Sequence, residues 1–232
     1  MQLYAVKFGE SLLSSKYIFR DESSEKLIRI SWSYYIAKHN NKTILFDVGF
    51  RDPITANEWG IELCNVNEEV KKIINLNRVD VIFITHSHFD HIDNIDLFPD
   101  AQIIISYEEY LHALKSVNPN VKNRLLKENV VKIKDEYLFE DKFKFKVIGG
   151  HTTGSSVVYF EHNNKDYVIT GDECYTCDNL IKTRPIGVYS SSENNKSFIN
   201  EAFEKGYISL PYHDITIFQT HNKVSNNIVQ IF

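Results

Sequence analysis

Short apolar runs separated by polar turns recur along the chain and predict a protein rich in strands. Residues 27–37 largely alternate between apolar and polar types, and Asn40-Asn41 then turn the chain into the apolar run 43–46. This pattern predicts a β-hairpin. Further strands are predicted at residues 79–84, 102–105, 130–133, 143–148, 156–160, 167–170 and 215–218.

Several segments between these strands have apolar residues at helical spacing. This spacing predicts helices over residues 68–74, with Asn67 as the N-cap, over 107–114 and over 196–205. Residues 51–67 show no regular pattern and predict a long surface loop, whereas residues 184–195 are open to two interpretations, a lid or a plain connection. Strand-rich halves with interspersed helices predict two sheets packed together with helices outside.

Composition narrows the class of protein. With 232 residues, of which 43% are apolar and 25% charged, the chain is expected to form a single globular domain over residues 1–232. The net charge of -5 and the lack of a basic stripe argue against binding nucleic acid. No stretch has the length of a membrane span and no leader pattern opens the chain, so we expect a cytoplasmic protein that does not bind membranes.

The 3 cysteines cannot form a disulfide framework, which agrees with a reducing compartment. Cys174 and Cys177 have the spacing of a redox or metal pair. A single pair without a following thioredoxin-like helix favours ordinary packing.

A histidine-rich segment directly follows the predicted strand 79–84 and is the strongest chemical signal. The segment reads Thr85-His86-Ser87-His88-Phe89-Asp90-His91. Neutral imidazoles suit zinc and neighbouring divalent metals, and a carboxylate beside them adds an oxygen ligand and a proton carrier. The segment therefore predicts a metal site at a strand end.

Later strand ends offer more groups of the same kind. His151, Asp172 and His221 each follow a predicted strand, and together with His86, His88, Asp90 and His91 they make seven candidate ligands. One zinc ion takes about four ligands, so seven predict two divalent cations. Asp172 could bridge them beside a shared water that would ionise near neutral pH. We prefer His221 to His213 as the last ligand, because His221 directly follows the predicted strand 215–218.

These motifs, in this order, resemble the metallo-β-lactamase superfamily of metallohydrolases. The resemblance runs from about Trp32 to the C-terminus and includes Asp47-x-Gly49 at an early strand end. It implies an α+β fold, a four-layer αββα sandwich of two mixed sheets with a dinuclear site at one edge. It also implies that one metal is held by His86, His88 and His151 and the other by Asp90, His91 and His221, that Asp172 bridges them, and that Asp47 is a hydrogen-bond acceptor.

Within the superfamily the chain looks most like the N-acyl homoserine lactonases, which share Phe89 within the motif and Tyr175 shortly after Asp172. It departs from that branch at Ile92-Asp93, at Gly154-Ser155 and in a shorter segment between Phe50 and Glu68. The resemblance implies a zinc-dependent hydrolase, with manganese or iron as alternative metals, acting on a small-molecule ester such as a lactone.

In the expected mechanism a bridging hydroxide attacks the carbonyl, the Tyr175 hydroxyl stabilises the oxyanion, and Asp90 carries a proton to the leaving oxygen. The alternatives are another hydrolase of the superfamily, either a thioesterase of the glyoxalase II kind or a phosphodiesterase. The sequence leaves the oligomeric state open.

Overall fold

The chain forms two β-sheets with helices against them, as described in a computed structural model for residues 1–116 and 118–232. The larger sheet contains β1 (Gln2–Ser14), β2 (Leu27–His39), β3 (Lys42–Phe46), β4 (Glu62–Leu63), β5 (Val81–Ile84), β6 (Gln102–Ser106), β7 (Val130–Ile133), β13 (Asn222–Lys223) and β14 (Ile228–Gln230). The smaller sheet contains β8 (Glu136–Phe139), β9 (Phe143–Val147), β10 (Ser156–His162), β11 (Lys165–Ile169) and β12 (Ile208–Leu210).

Helices connect the strands. The α-helices are α1 (Ser15–Ile18), α2 (Pro53–Glu58), α3 (Asn67–Val70), α4 (Phe89–Ile92), α5 (Tyr107–Ala113), α6 (Pro119–Leu125), α7 (Cys177–Ile181), α8 (Ser192–Glu204) and α9 (Ile217–Thr220). Short 3-10 turns occur at Leu76–Arg78, Ile95–Leu97 and Gly171–Glu173. Among the described residues, every helix is too short or too polar to span a lipid bilayer.

Both sheets are mixed. The larger sheet runs β13-β14-β1-β2-β3-β5-β6-β7, with β4 beside β1, and its strands β3, β5, β6 and β7 are parallel to one another. The smaller sheet runs β12-β11-β10-β9-β8, and β11 and β12 are its parallel pair. Parallel neighbours end at the same edge of a sheet, so the turn that follows β5 lies beside the turns that follow β3 and β6.

The main core lies between the two sheets. Phe83 of β5 stacks on Phe145 of β9 with ring centroids 6.1 Å apart. On β10, Val158 joins this inner core, whereas the adjacent Val157 packs on the other face with Phe198 of α8. Because successive strand residues point to opposite faces, this division places α8 outside the smaller sheet. The four-layer αββα sandwich predicted from the sequence is confirmed.

The predicted hairpin is present as β2 and β3, and both turn residues adopt the left-handed conformation, with φ of 48° at Asn40 and 61° at Asn41. The predicted loop 51–67 instead contains α2, which begins because Asp52 accepts a hydrogen bond from the Thr55 amide at 2.8 Å and Pro53 occupies the first turn. The predicted strand 215–218 is also wrong, because α9 begins within it.

Candidate metal centre

Four of the predicted ligands converge in a first ligand group, made of His86, His88, His151 and Asp172. The His88 Nδ1 atom lies 3.0 Å from His86 Nε2 and 3.1 Å from His151 Nε2. The Asp172 Oδ2 atom lies 3.9 Å from His86 Nε2 and 3.5 Å from His151 Nε2. The turns after β5, β9 and β11 thus bring three histidines and one carboxylate to one point.

A second ligand group contains Asp90, His91 and His213. The His91 Nε2 atom lies 3.0 Å from Asp90 Oδ2 and 3.3 Å from Asp172 Oδ1. The His213 Nε2 atom lies 3.2 Å from the same Asp172 oxygen and 3.6 Å from Asp90 Oδ2. Asp172 therefore turns one carboxylate oxygen to each group.

The spacing of these atoms fits divalent cations. Tetrahedral zinc with bonds of about 2.0–2.1 Å places neighbouring ligand atoms roughly 3.3 Å apart, close to the distances in both groups. The atoms His91 Nε2 and Asp172 Oδ1 are buried and have no hydrogen-bond partner in the described part of the chain. A buried polar atom without a partner is costly, and a cation between the two would satisfy both.

One glycine allows two of the ligand-bearing turns to meet. Gly171 has φ of +52°, and a Cβ placed on it would lie 2.9 Å from the Cβ of Thr85. A side chain at this position would therefore push Asp172 away from the turn that carries His86.

Hydrogen bonds fix the orientation of three of the imidazole rings. The Nδ1 atom of His91 donates to Asp47 Oδ2 at 2.7 Å, that of His151 to the Val188 carbonyl at 3.0 Å, and that of His213 to the Ser31 carbonyl at 3.0 Å. A ring that donates from Nδ1 keeps a lone pair on Nε2, the atom that faces the ligand groups. The role of Asp47 as a hydrogen-bond acceptor agrees with the prediction.

Electrostatics differs between the groups. Burial and the neighbouring imidazoles lower the pKa of His86, and burial and His151 lower that of His88, so both rings are neutral. Burial alone would lower the pKa of His91 and of His213, but the carboxylates of Asp90 and Asp172 raise both values. Positive charge is therefore favoured at the second group, where a cation would supply it.

The expectation for His221 is corrected by the structure, which brings His213 to the centre instead. His221 belongs to neither group; it directly follows α9, and its Nδ1 lies 3.0 Å from the carbonyl of Ile217, the first residue of that helix. His213 comes three residues after β12, which runs parallel to β11, so His213 and Asp172 emerge at the same sheet edge. The local signal near His213 is the alternating segment Ile208-Ser209-Leu210, which indicates a short strand but not its pairing with β11.

An apolar cavity of about 160 Å³ opens beside both groups. Its lining consists of Leu13, Tyr17, Ile30, Trp32, Trp59, His88, Phe89, Asp90, His151, Asp172, Tyr175, Val188 and His213. Phe89 forms an aromatic wall with Trp32 and Trp59, at centroid distances of 6.1 Å and 5.6 Å. Tyr175 stacks on His213 at 5.3 Å, and burial together with the Asp172 carboxylate raises its pKa well above the ordinary value.

The segment 184–195 packs against the turn that carries His151. The Ser190 amide donates to the Gly150 and His151 carbonyls at 2.8 Å and 2.9 Å, and the Ser191 amide donates to Gly150 at 2.9 Å. Through these bonds and the Val188 carbonyl, the segment supports the first group.

Comparison with known proteins identifies the family. Residues 28–205 match the model of the metallo-beta-lactamase superfamily. The chain belongs to the metallo-β-lactamase superfamily. The predicted resemblance is thereby confirmed at the level of the superfamily.

Solved structures of other proteins share the fold over almost the full chain. The structure of an N-acyl homoserine lactone hydrolase, with N-hexanoyl-L-homoserine at its catalytic metal centre, superposes with a TM-score of 0.80 at 21% identity, covering 96% of this chain and 97% of that one. The structure of AidC, a dizinc quorum-quenching lactonase, gives a TM-score of 0.72 at 16% identity, covering 92% and 87%.

A curated relative matches a shorter part of the chain. A probable metallo-hydrolase of Methanocaldococcus jannaschii is 34% identical over 110 residues, which are 47% of this chain and 44% of that relative. The match spans less than half of the relative's length.

Proposed function

We propose that this protein is a metal-dependent hydrolase of carbonyl esters, with a lactone such as an N-acyl homoserine lactone as the favoured substrate. The observation that carries the proposal is the position of Asp172, whose two oxygens each face a separate ligand group. We further propose that residues 1–232 act as one domain, because a continuous core includes both Leu3 and Val229.

In the proposed centre, His86, His88 and His151 hold one divalent cation, and Asp90, His91 and His213 hold the other. Asp172 contributes to both. Zinc suits this set of imidazole and carboxylate ligands, and manganese and iron are the alternatives. Two cations bound there would polarise a substrate carbonyl and acidify a shared water.

The cavity favours an uncharged substrate. Its wall is mostly aromatic and aliphatic, and the lining residues described here include neither lysine nor arginine. Outside the proposed metal centre, a phosphodiester or a thioester on an anionic carrier would find no cationic side chain to pair with in this lining. The pocket therefore supports an apolar lactone over the two alternatives.

Two side chains are proposed to act on the substrate. The raised pKa of Tyr175 keeps its hydroxyl protonated, so it can donate a hydrogen bond to the carbonyl oxygen as charge develops. Burial would raise the pKa of Asp90, but His91 and His213 hold it below the usual range. Asp90 is thus ionised and suited to accept a proton and pass it to the leaving oxygen.

A substrate panel tests the proposal. Zinc-loaded and manganese-loaded protein is assayed with an N-acyl homoserine lactone, a thioester and an aryl phosphodiester, and a His86→Ala variant serves as the control. We expect the lactone to be hydrolysed with the highest kcat/KM and the variant to lose this activity. A higher kcat/KM for the thioester or the phosphodiester, or lactone turnover equal to that of the variant, would refute the lactone assignment.

A further inference from the structure

A buried glutamate on α5 joins the two turns that carry the histidines of the first group. Glu109 is 1% exposed and makes no ion pair with a cationic side chain in the described part of the chain. Its neighbour Glu108 is exposed. Burying an unpaired carboxylate is costly unless hydrogen bonds stabilise it, so its contacts indicate what holds it in place.

Glu109 accepts four hydrogen bonds, two on each oxygen. The Oε2 atom accepts from the Ser87 amide at 2.7 Å and from the Ser87 hydroxyl at 2.6 Å. The Oε1 atom accepts from the Thr152 hydroxyl at 2.5 Å and from the Gly154 amide at 3.1 Å. Ser87 lies between His86 and His88, and Thr152 directly follows His151.

We infer that Glu109 is a positioning residue that holds the first ligand group ready for its metal ion, an inference that rests on the proposed metal centre. One carboxylate fixes the backbone on both sides of the group, so the separation of its three histidines depends on that carboxylate. The rings of the second group are held differently, through Asp47 and the Ser31 carbonyl. Glu109 should therefore affect the two metal ions unequally.

The substitution Glu109→Gln isolates this role, because it preserves size and shape. An amide has one oxygen and one NH2 group, so in either orientation the NH2 group meets a backbone amide, that of Ser87 or that of Gly154. A hydroxyl can rotate to accept a hydrogen bond, but a backbone N–H cannot. One of the two turns must then shift away from the glutamine.

The test measures metal affinity rather than turnover. Zinc-loaded wild type and variants are dialysed against a graded series of chelator concentrations, and the retained zinc is counted. His151→Ala and His213→Ala show which release step belongs to which group. Loss of a hydrogen-bond partner behind metal ligands typically weakens affinity about 10- to 100-fold. We expect Glu109→Gln to bind the ion that His151→Ala loses about 10- to 100-fold more weakly than the wild type, so that this ion is released at a lower chelator concentration. The other ion should be retained.

Controls separate positioning from general damage to the fold. Glu108→Gln, on the exposed side of the same helix turn, should release both ions as the wild type does. Thr152→Val removes one hydroxyl contact while sparing both backbone amides, so it should show a smaller loss at the same step. In the metal-free protein, Glu109→Gln should also speed hydrogen exchange at the Ser87 or Gly154 amide.

Three results would overturn the inference. In the first, Glu109→Gln releases both zinc ions at the same chelator concentrations as the wild type. In the second, its affinity for both ions falls equally. In the third, hydrogen exchange is unchanged at both the Ser87 and the Gly154 amide. The lactone assignment fails separately, since wild type that binds two ions but opens no lactone refutes that assignment and leaves the comparison of affinities intact.

Discussion

Replacing Asp47 with Asn should disable one metal ligand without disturbing the backbone. Asp47 is fully buried and has φ of 59°, a left-handed conformation that Asn adopts about as readily as Asp. Its Oδ1 accepts from the Thr85 amide at 2.7 Å, and its Oδ2 accepts from the Thr85 hydroxyl at 2.6 Å and from His91 Nδ1 at 2.7 Å.

An amide cannot replace all three of these bonds. If the oxygen of the introduced asparagine faces the Thr85 amide, its NH2 group faces the Nδ1–H of His91. Both groups are donors, so no hydrogen bond forms between them. The imidazole restores the pair by moving its proton to Nε2, the atom that faces Asp90 and Asp172, and a protonated nitrogen cannot bind a metal. In the opposite orientation the Thr85 amide loses its acceptor.

The size of the effect follows from these contacts. Loss of an orienting partner weakens metal binding about 10- to 100-fold, which corresponds to roughly 1.4–2.8 kcal/mol. Each hydrogen bond to a buried carboxylate contributes about 1.5–3 kcal/mol, so the free energy of unfolding of the metal-free protein should fall by about 2 kcal/mol.

The metal affinity is measured from the zinc that the protein retains against graded chelator concentrations. The free energy of unfolding is measured by urea unfolding of the metal-free protein. We expect Asp47→Asn to lose early the same ion that His213→Ala loses. The matched control is Asp80→Asn, since Asp80 is an exposed carboxylate that accepts from the Thr43 amide at 2.8 Å. If Asp47→Asn retains both ions with wild-type affinity, the Asp47 carboxylate does not set the His91 tautomer and the reasoning fails.

Further substitutions test the rest of the structure. His213→Ala should bind one zinc ion fewer by elemental analysis, whereas His221→Ala should match the wild type, and the reverse pattern would contradict the ligand assignment. Glu173→Gln should weaken metal retention less than Glu109→Gln. One orientation of the glutamine amide keeps the three donors on Oε1, the Gly150 and His151 amides and the Ser155 hydroxyl, and loses only the hydrogen bond from the Asn195 side chain to Oε2. An equal or larger loss would contradict this. Phe83→Ala empties a position with no exposed surface and should cost about 3–5 kcal/mol of unfolding free energy in urea titration, and a cost below about 1 kcal/mol would contradict its place in the core.

The sequence predicted much of the fold because strand patterns and turn residues are local signals. The hairpin of β2 and β3 depends on alternation and on Asn40-Asn41, and β5 and β6 are short apolar runs. The strand β1 was not predicted. Leu3, Tyr4, Ala5 and Val6 are all buried, so both faces of β1 are covered here and the alternation that marks a one-sided strand is missing.

The last histidine was missed for a different reason. Residues 215–218 alternate like a strand, but Asp214 Oδ1 accepts from the amide and the hydroxyl of Thr216 at 2.9 Å and 2.6 Å, and the chain turns into α9. Local pattern cannot separate these outcomes for a short apolar run. His213 becomes available through the parallel pairing of β12 with β11, a tertiary contact that its flanking sequence does not encode.

Asp172 connects the two ligand groups, although different parts of the chain support them. Glu109 acts on backbone turns and so controls distances in the first group, whereas Asp47 acts on a ring and so controls the protonation of one nitrogen in the second. Because Asp172 offers Oδ2 to one group and Oδ1 to the other, a displaced carboxylate changes the field at both. A double substitution of Glu109 and Asp47 should therefore deviate from additivity in zinc retention by the size of the coupling through Asp172.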